Sequence, residues 1–527
     1  MDSESKLINL TIDGTEVSVP EGTTILKAAE RLGIVIPRYC WHPGLSAPAQ
    51  CRMCLVEVEG WPKPQPACVQ QVQDGMVVNT DCVEARKARR GVIEFLLLNH
   101  PLDCPICDAA GQCMLQDYAH ETGQLRRRAV EAKVVLGRDH VTPEIVYFAD
   151  RCILCTRCVR FMDEIAQEPV LQVINRGHKG YIDTMTDELF EHPFSMNIVD
   201  VCPVGALVNE DFLFKARSWD LDQTASICPG CSQGCNVALG TKENRVVRLK
   251  PRFNPEVNSY WMCDHGRREV VRWGAGMRAE VPLVREAERL VPADWARALD
   301  ATVEALRGVE GGAKAIVDPG ASNESLYIVR RLMDQVGFDG GSFRVSSGPQ
   351  QVLKGFPKLA LREDRAANAS GAEALGYGRV DDIYGAVRSH RGVLFVLEEG
   401  LDDAPEDFAD GSALFVYIGS VLSPAARKAD IVLPSPSFAE MDGTFTNFEG
   451  RVQRFTQGLR PPGLARPIWM SGSVVLARLG GGEPFTSAAA AFAALAEEFT
   501  AFSGLSYEKI GLTGAVSAAA ESGATAS

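Results

Sequence analysis

Long apolar runs are missing from this 527-residue chain; none reaches the ~18–20 residues that a membrane-spanning helix needs. Positive charge is scarce as well. There are 54 Lys and Arg against 68 Asp and Glu, a net charge of −14, which argues against sequence-independent nucleic-acid binding, because that requires basic surface. Neither G-x-G-x-x-G nor a P-loop occurs, so the commonest phosphate cradles are not built here. The N-terminus, Met1-Asp2-Ser3-Glu4, carries no signal-peptide pattern, and the expectation is a cytosolic chain, where disulfides are rare. No cysteine follows Cys263, yet sixteen lie between Cys40 and Cys263. A single core rarely outgrows ~250–300 residues, so several domains are expected, and the halves before and after Cys263 are different kinds of protein. Sixteen cysteines in such a setting mean metal or redox chemistry.

Fifteen of these cysteines and one histidine fall into four ligand sets. The first is Cys40, Cys51, Cys54 and Cys68, spaced C-x10-C-x2-C-x13-C. Around it, Ile8, Leu10 and Ile12 alternate with polar residues as in a half-buried strand, Asp13-Gly14 reads as a hairpin turn, and Val17 and Val19 continue on the return strand. Thr24 caps a helix carrying Ile25, Ala28, Ala29 and Leu32, and Leu55 to Val58 reads as a further strand. This is a β-grasp layout, with a spacing that departs from the plant-type C-x4-C-x2-C. The second set is His100, Cys104, Cys107 and Cys113, spaced H-x3-C-x2-C-x5-C; alone it fits a structural zinc equally well. The apolar stretch Val92 to Leu98 before it reads as a buried helix.

The third set is Cys152, Cys155 and Cys158 with the remote Cys202-Pro203, the pattern of half a bacterial ferredoxin. The ligands of a second cluster in such a domain are expected at Met162, His192, Ser195 and Ile198, and none is cysteine. The fourth set is Cys228, Cys231, Cys235 and Cys263, spaced C-x2-C-x3-C-x27-C, with Pro229, Gly230 and Gly234 allowing a tight loop. Cys82 is left over and reads as an ordinary cysteine.

Together these stretches resemble the large iron–sulfur subunit of bacterial NADH:quinone oxidoreductase, respiratory complex I. The resemblance rests on Arg52 within the first set and on Asn99-His100-Pro101-Leu102-Asp103-Cys104-Pro105-Ile106-Cys107. It rests further on Cys152 through Arg160-Phe161, Val201-Cys202-Pro203-Val204-Gly205-Ala206-Leu207, Phe214-Lys215-Ala216-Arg217, and Asn254 through Arg267. It covers residues 1–280 and, less closely, 390–470. It implies one 2Fe–2S cluster on the first set and three 4Fe–4S clusters on the others, with the fourth off the main electron path. It also implies a relay from the flavin subunit that oxidises NADH towards quinone. The partners would be that subunit, a small 2Fe–2S subunit and the quinone-module subunits, with the membrane arm indirect, on the cytoplasmic side of a bacterial inner membrane.

The C-terminal half reads as α/β. Trp295, Leu299 and Leu306 mark one helix face, and Ser322 caps a helix closed by Gly337. Ala315 to Val317, Val393 to Leu397, Leu414 to Ile418 and Ile431 to Leu433 are apolar strands of a parallel sheet. Ala429 to Pro434, Gly443 to Asn447 and Arg451-Val452-Gln453 resemble molybdopterin oxidoreductases, as does the fourth cysteine set. Those enzymes are longer and carry a lysine after the last cysteine, where His265 stands here. A remnant without molybdopterin is therefore expected.

The fold class is α+β multidomain. The divisions are a β-grasp ferredoxin over 1–82, a His/Cys 4Fe–4S segment over 83–122 and a ferredoxin-like domain over 123–220. A molybdopterin-oxidoreductase-type 4Fe–4S domain follows over 221–280, then a cofactor-free α/β domain over 281–480. An Ala/Gly/Ser-rich tail over 481–527 completes the chain, with a helix within Ser487 to Phe502 and a disordered last ten residues. Three alternatives stay open: a diaphorase subunit of an NAD-reducing hydrogenase, a molybdenum formate dehydrogenase, and a zinc-stabilised scaffold.

Overall fold

The computed structural model describes residues 6–123, 128–186, 188–272, 277–398 and 401–517. The acidic N-terminal residues and the last ten lie outside the described residues. The chain divides into two units, Met1–Leu221 with Leu353–Pro357, and Asp222–Val352 with Lys358–Ser527.

In the first unit the alternation of Ile8, Leu10 and Ile12 puts all three inside the strand Leu7–Ile12. Asp13 and Gly14 both take positive φ, +48° and +81°, the turn whose twist suits a two-residue hairpin, and Thr15–Pro20 returns antiparallel. Met76–Asn79 pairs parallel on the other side, followed by Leu55–Val58 and Gln65–Pro66. The helix Ile25–Arg31 starts at Thr24, whose hydroxyl accepts the Lys27 N–H at 3.4 Å; Leu32 is its C-terminal cap rather than part of it.

Cys82 acts locally. Its sulfur accepts the Ala85 N–H at 3.4 Å and caps the helix Val83–Leu97. The expectation of a buried helix over Val92 to Leu98 needs correction. The segment is helical, but only Ile93 is buried and Phe95 is 77% exposed. Six apolar residues, interrupted only by Glu94, run right round a helix, and only one side can face the unit.

The remaining segments of this unit are short. A three-stranded sheet orders Leu207–Asn209, Ile145–Phe148 and Arg138–Thr142. The helix Asn197–Val201 ends at Cys202, which is extended at φ −67° and ψ 119° because Pro203 disfavours a helical residue before it. Met162 and Ile198, two of the positions where a second ferredoxin cluster would need cysteine, are fully buried.

In the second unit, Asp222–Ile227, Asn236–Lys242 and Arg245–Pro251 form an antiparallel sheet. An eight-stranded sheet follows in the order Arg289–Pro292, Leu283–Glu286, Ile431–Pro434, Leu414–Gly419, Val393–Leu397, Ala313–Val317, Phe338–Phe343 and Gly378–Arg379. Its central pairings are parallel. Val393, Phe395 and Leu397 pack into one core while Leu394 and Val396 pack into another; both faces are covered, which is why these strands read as unbroken apolar runs. The helices Trp295–Gly308 and Asn323–Val336 start at Asp294 and Ser322, whose side chains accept N–H bonds at their first turns.

The region past 480 is not a detached tail. Ser487 caps the helix Ala488–Glu498, and Ala491, Phe492 and Leu495 are fully buried in the first of these cores. The strand Ala515–Val516 pairs with Arg451 and Val452. Phe492→Ala should therefore lower stability by about 3–5 kcal/mol, read as a drop in the urea midpoint, while Leu512→Ala, at a 58% exposed side chain, should leave the midpoint unchanged.

Candidate metal centres

Ligation by sulfur needs thiolate, and burial opposes thiolate. In the first set Cys40, Cys54 and Cys68 are buried and Cys51 half-buried. Cys40 and Cys51 share a hydrogen bond that pushes the Cys40 thiol up and the Cys51 thiol down to about 5. Cys54 and Cys68 form a second pair, with Cys54 held low and Cys68 raised. Cys68 also feels the charges of Cys40 and Cys51, so the structure brings all four together. Arg52 between the close pair has φ +57°, an unusual conformation for a side-chain-bearing residue and typical of functional loops.

The second set starts at His100. Burial first, then Lys133 and Arg151, push its imidazole down to about 4, so it is neutral near pH 7. Its Nδ1 is buried without a hydrogen-bond partner, which suits a ligand nitrogen. Cys107 and Cys113 are buried and Cys104 exposed; burial raises Cys113 to about 11, with Cys107 and Cys104 close enough to add to it. A Cβ on Gly205 would sit 2.2 Å from the Cys107 sulfur.

The third set lines one pocket: Cys152, Cys155, Cys158 and Cys202 surround it with Tyr147, Ile182 and Val204. Leu154, at φ +50°, aims its N–H at the Cys152 sulfur 3.3 Å away. The Tyr147 hydroxyl accepts the Ile182 N–H at 3.0 Å, and it also shares a hydrogen bond with Cys152 that partly offsets the burial pushing that thiol up to about 11.

The fourth set joins the loop between Asp222–Ile227 and Asn236–Lys242 to Cys263, which precedes the helix Asp264–Arg272. All four thiols are buried and all are raised, first by burial; Cys228 goes to about 12. A Cβ on Gly266 would meet the Cys228 sulfur at 2.6 Å and the Cys263 sulfur at 3.8 Å, so only glycine lets the helix start against this set. The loop is held from the C-terminal half. Gln453 donates to the Gly234 carbonyl at 2.8 Å and accepts from Asn236 at 2.6 Å, and Gln233 accepts from Arg362 at 2.9 Å. The stretch Arg451 to Gln453, singled out by resemblance, thus has a structural role here.

Among the described residues no group of three or more His, Cys, Asp or Glu side chains is arranged to hold a single metal ion. What fits is a larger group: a pocket walled by four sulfurs, an orphaned imidazole nitrogen, and glycines whose missing Cβ leaves room for sulfur. Iron–sulfur clusters match this donor chemistry.

Residues 5–82 match the 2Fe-2S iron-sulfur cluster binding domain, 89–128 the NADH-ubiquinone oxidoreductase-G iron-sulfur binding region, and 142–208 the NADH-quinone oxidoreductase subunit 3 ferredoxin-like domain. Residues 221–270 match the molybdopterin oxidoreductase Fe4S4 domain and 363–471 molybdopterin oxidoreductase. The G subunit of NADH-quinone oxidoreductase from Rickettsia bellii is 31% identical over 87% of this chain and 85% of its own. The chain belongs to the G-subunit family of NADH-quinone oxidoreductases. The Streptomyces coelicolor G subunit is 42% identical over 58% of this chain and 37% of its own length. A solved NAD+-reducing [NiFe]-hydrogenase aligns at 28% identity over 40% of this chain and 90% of that one, with a TM-score of 0.37.

Sequence reading missed the residues that tie the sites of this G-subunit chain together. Arg151 pairs with Asp103 at 2.8 Å, linking Cys152 to Cys104. The Met114 N–H donates to the Pro203 carbonyl at 3.0 Å, linking Cys113 to Cys202. Gln50 donates to Leu154 and Thr156 at 3.0 Å, linking Cys51 to the third set. Their placement beside cysteines was the one available signal. Gly205→Ala should lower the metal held by the second set alone and Gly266→Ala that of the fourth alone, read by the loss of one cluster signal in electron paramagnetic resonance with the other signals retained.

Proposed function

We propose that this chain is the iron–sulfur electron-transfer subunit of a proton-pumping NADH:quinone oxidoreductase, relaying electrons from the NADH-oxidising flavin subunit towards quinone. The observation that supports the reading is the spacing of fifteen cysteines and His100 into four separate sets along the sequence. Cys40, Cys51, Cys54 and Cys68 hold a 2Fe–2S cluster. His100 with Cys104, Cys107 and Cys113, Cys152 with Cys155, Cys158 and Cys202, and Cys228 with Cys231, Cys235 and Cys263 each hold a 4Fe–4S cluster. When bound, such clusters supply one-electron acceptance and donation.

The chain's own residues bury most of these cysteines from water, aim backbone N–H groups at their sulfurs and fix their spacing. Neutral His100 carries one negative charge fewer than a thiolate, which raises the potential of its site. The chain needs no acid–base chemistry, and NADH binding falls to the flavin subunit. A small 2Fe–2S subunit and the quinone-module subunits are the other neighbours, with the membrane arm contacted indirectly. Among the described residues no helix is long and apolar enough to cross a membrane, in keeping with a peripheral place on the cytoplasmic side of a bacterial inner membrane. The fourth set lies off the main path, and the α/β region after it is a structural remnant that holds no molybdopterin.

Anaerobically purified complex should carry, in this subunit, two irons plus three groups of four, and no molybdenum. Cys82→Ser should leave every cluster signal intact. Zinc in place of iron, stoichiometric molybdenum, or a cluster lost with Cys82 contradicts the reading.

A further inference from the structure

Arg157 stands between Cys155 and Cys158 and is 7% exposed. Its guanidinium reaches a residue beside a cysteine of each of the first three sets. Nη2 donates to the Trp41 carbonyl at 2.7 Å, next to Cys40, and lies 3.7 Å from Sδ of Met114, next to Cys113. Nη1 donates to the Val201 carbonyl at 3.1 Å, next to Cys202. None of these partners is a carboxylate, and Nε is buried with no partner. Arg160, 9% exposed, donates to the carbonyls of Cys40, Cys155 and Ser46.

A buried guanidinium is costly unless a counter-charge faces it. The charges that would favour the Arg157 cation are those of Cys155, Cys202 and Cys40, with the like charge of Arg160 opposing them. Neutral thiols do not balance it; thiolates on a cluster do.

We propose that Arg157, with Arg160 beside it, is the shared counter-charge of the first three cysteine sets, holding all three redox centres at higher potential while pinning their segments together. The inference rests on the reading that these sets carry clusters. Each added electron makes a centre more negative, and a fixed cation nearby favours that reduced form, most strongly in a low-dielectric interior. Both arginines are positioning residues: they touch the segments that hold the ligands.

The test is a redox titration of the whole complex, followed by electron paramagnetic resonance, in Arg157→Gln, Arg157→Lys and Arg160→Gln. Arg157→Gln should shift the oxidised-to-reduced ratio of the first- and third-set centres at least tenfold towards oxidised at a given potential, about 59 mV for one electron. The second-set centre should move the same way by less, and Arg157→Lys, which keeps the charge, should stay within that tenfold. Should Arg157→Gln fail to assemble, Arg160→Gln decides, lowering the first and third centres and sparing the second. Intact signals at unmoved potentials overturn the proposal, as does a Lys variant shifted as far as Gln. Absence of these signals from the wild-type complex overturns instead the reading that the sets hold clusters.

Discussion

Sulfur must be charged to ligate and buried to shuttle electrons, and these demands conflict. Thiol after thiol in this chain is driven towards its neutral form by burial, most of all Cys158, Cys235 and Cys263. Metal cations placed among the sulfurs reverse that balance, and binding them then becomes part of the folding free energy. Much else in the structure serves this conflict. The N–H of Leu154 points at sulfur, glycines 205 and 266 leave space for it, and left-handed Arg52 and Leu154 bend their loops around it.

The same constraint explains the cross-ties of the first unit. Around the third set the regular elements are short, with the helices Arg157–Arg160 and Asn197–Val201 of only four and five residues. Isolated helices that short are not stable. Their positions are set instead by contacts beside the ligands: Arg151 with Asp103, Met114 with Pro203, and Arg157 with Trp41 and Val201. The second unit meets the constraint differently. Its cysteine loop leans on side chains of a large, conventionally packed α/β body, through Gln453 and Arg362. This gives the C-terminal half a purpose that requires no cofactor of its own.

Local patterns were legible in the sequence and long-range ones were not. Short cysteine spacings, the Asp13-Gly14 turn and the caps at Thr24 and Ser322 are encoded within a few residues of one another. Cys202 could be joined to its set because Pro203 marks it. The partners of Arg157 could not be read, because Trp41 lies 116 residues away and only packing brings it near. The apolar stretch around Phe95 misled because a run without periodicity does not say which side faces inward. The Ala-rich end misled in the other direction: its composition hid Phe492 and Leu495, two apolar residues with the spacing of one helix face.

Locating iron itself tests the account most directly. Anomalous scattering recorded at the iron edge from crystals of the intact complex should give four iron sites on this subunit. They should lie against Cys40/Cys51/Cys54/Cys68, His100/Cys104/Cys107/Cys113, Cys152/Cys155/Cys158/Cys202 and Cys228/Cys231/Cys235/Cys263. A missing site, a site ligated by Cys82, or scattering that belongs to zinc would contradict the claim that these four sets exist to hold iron–sulfur clusters.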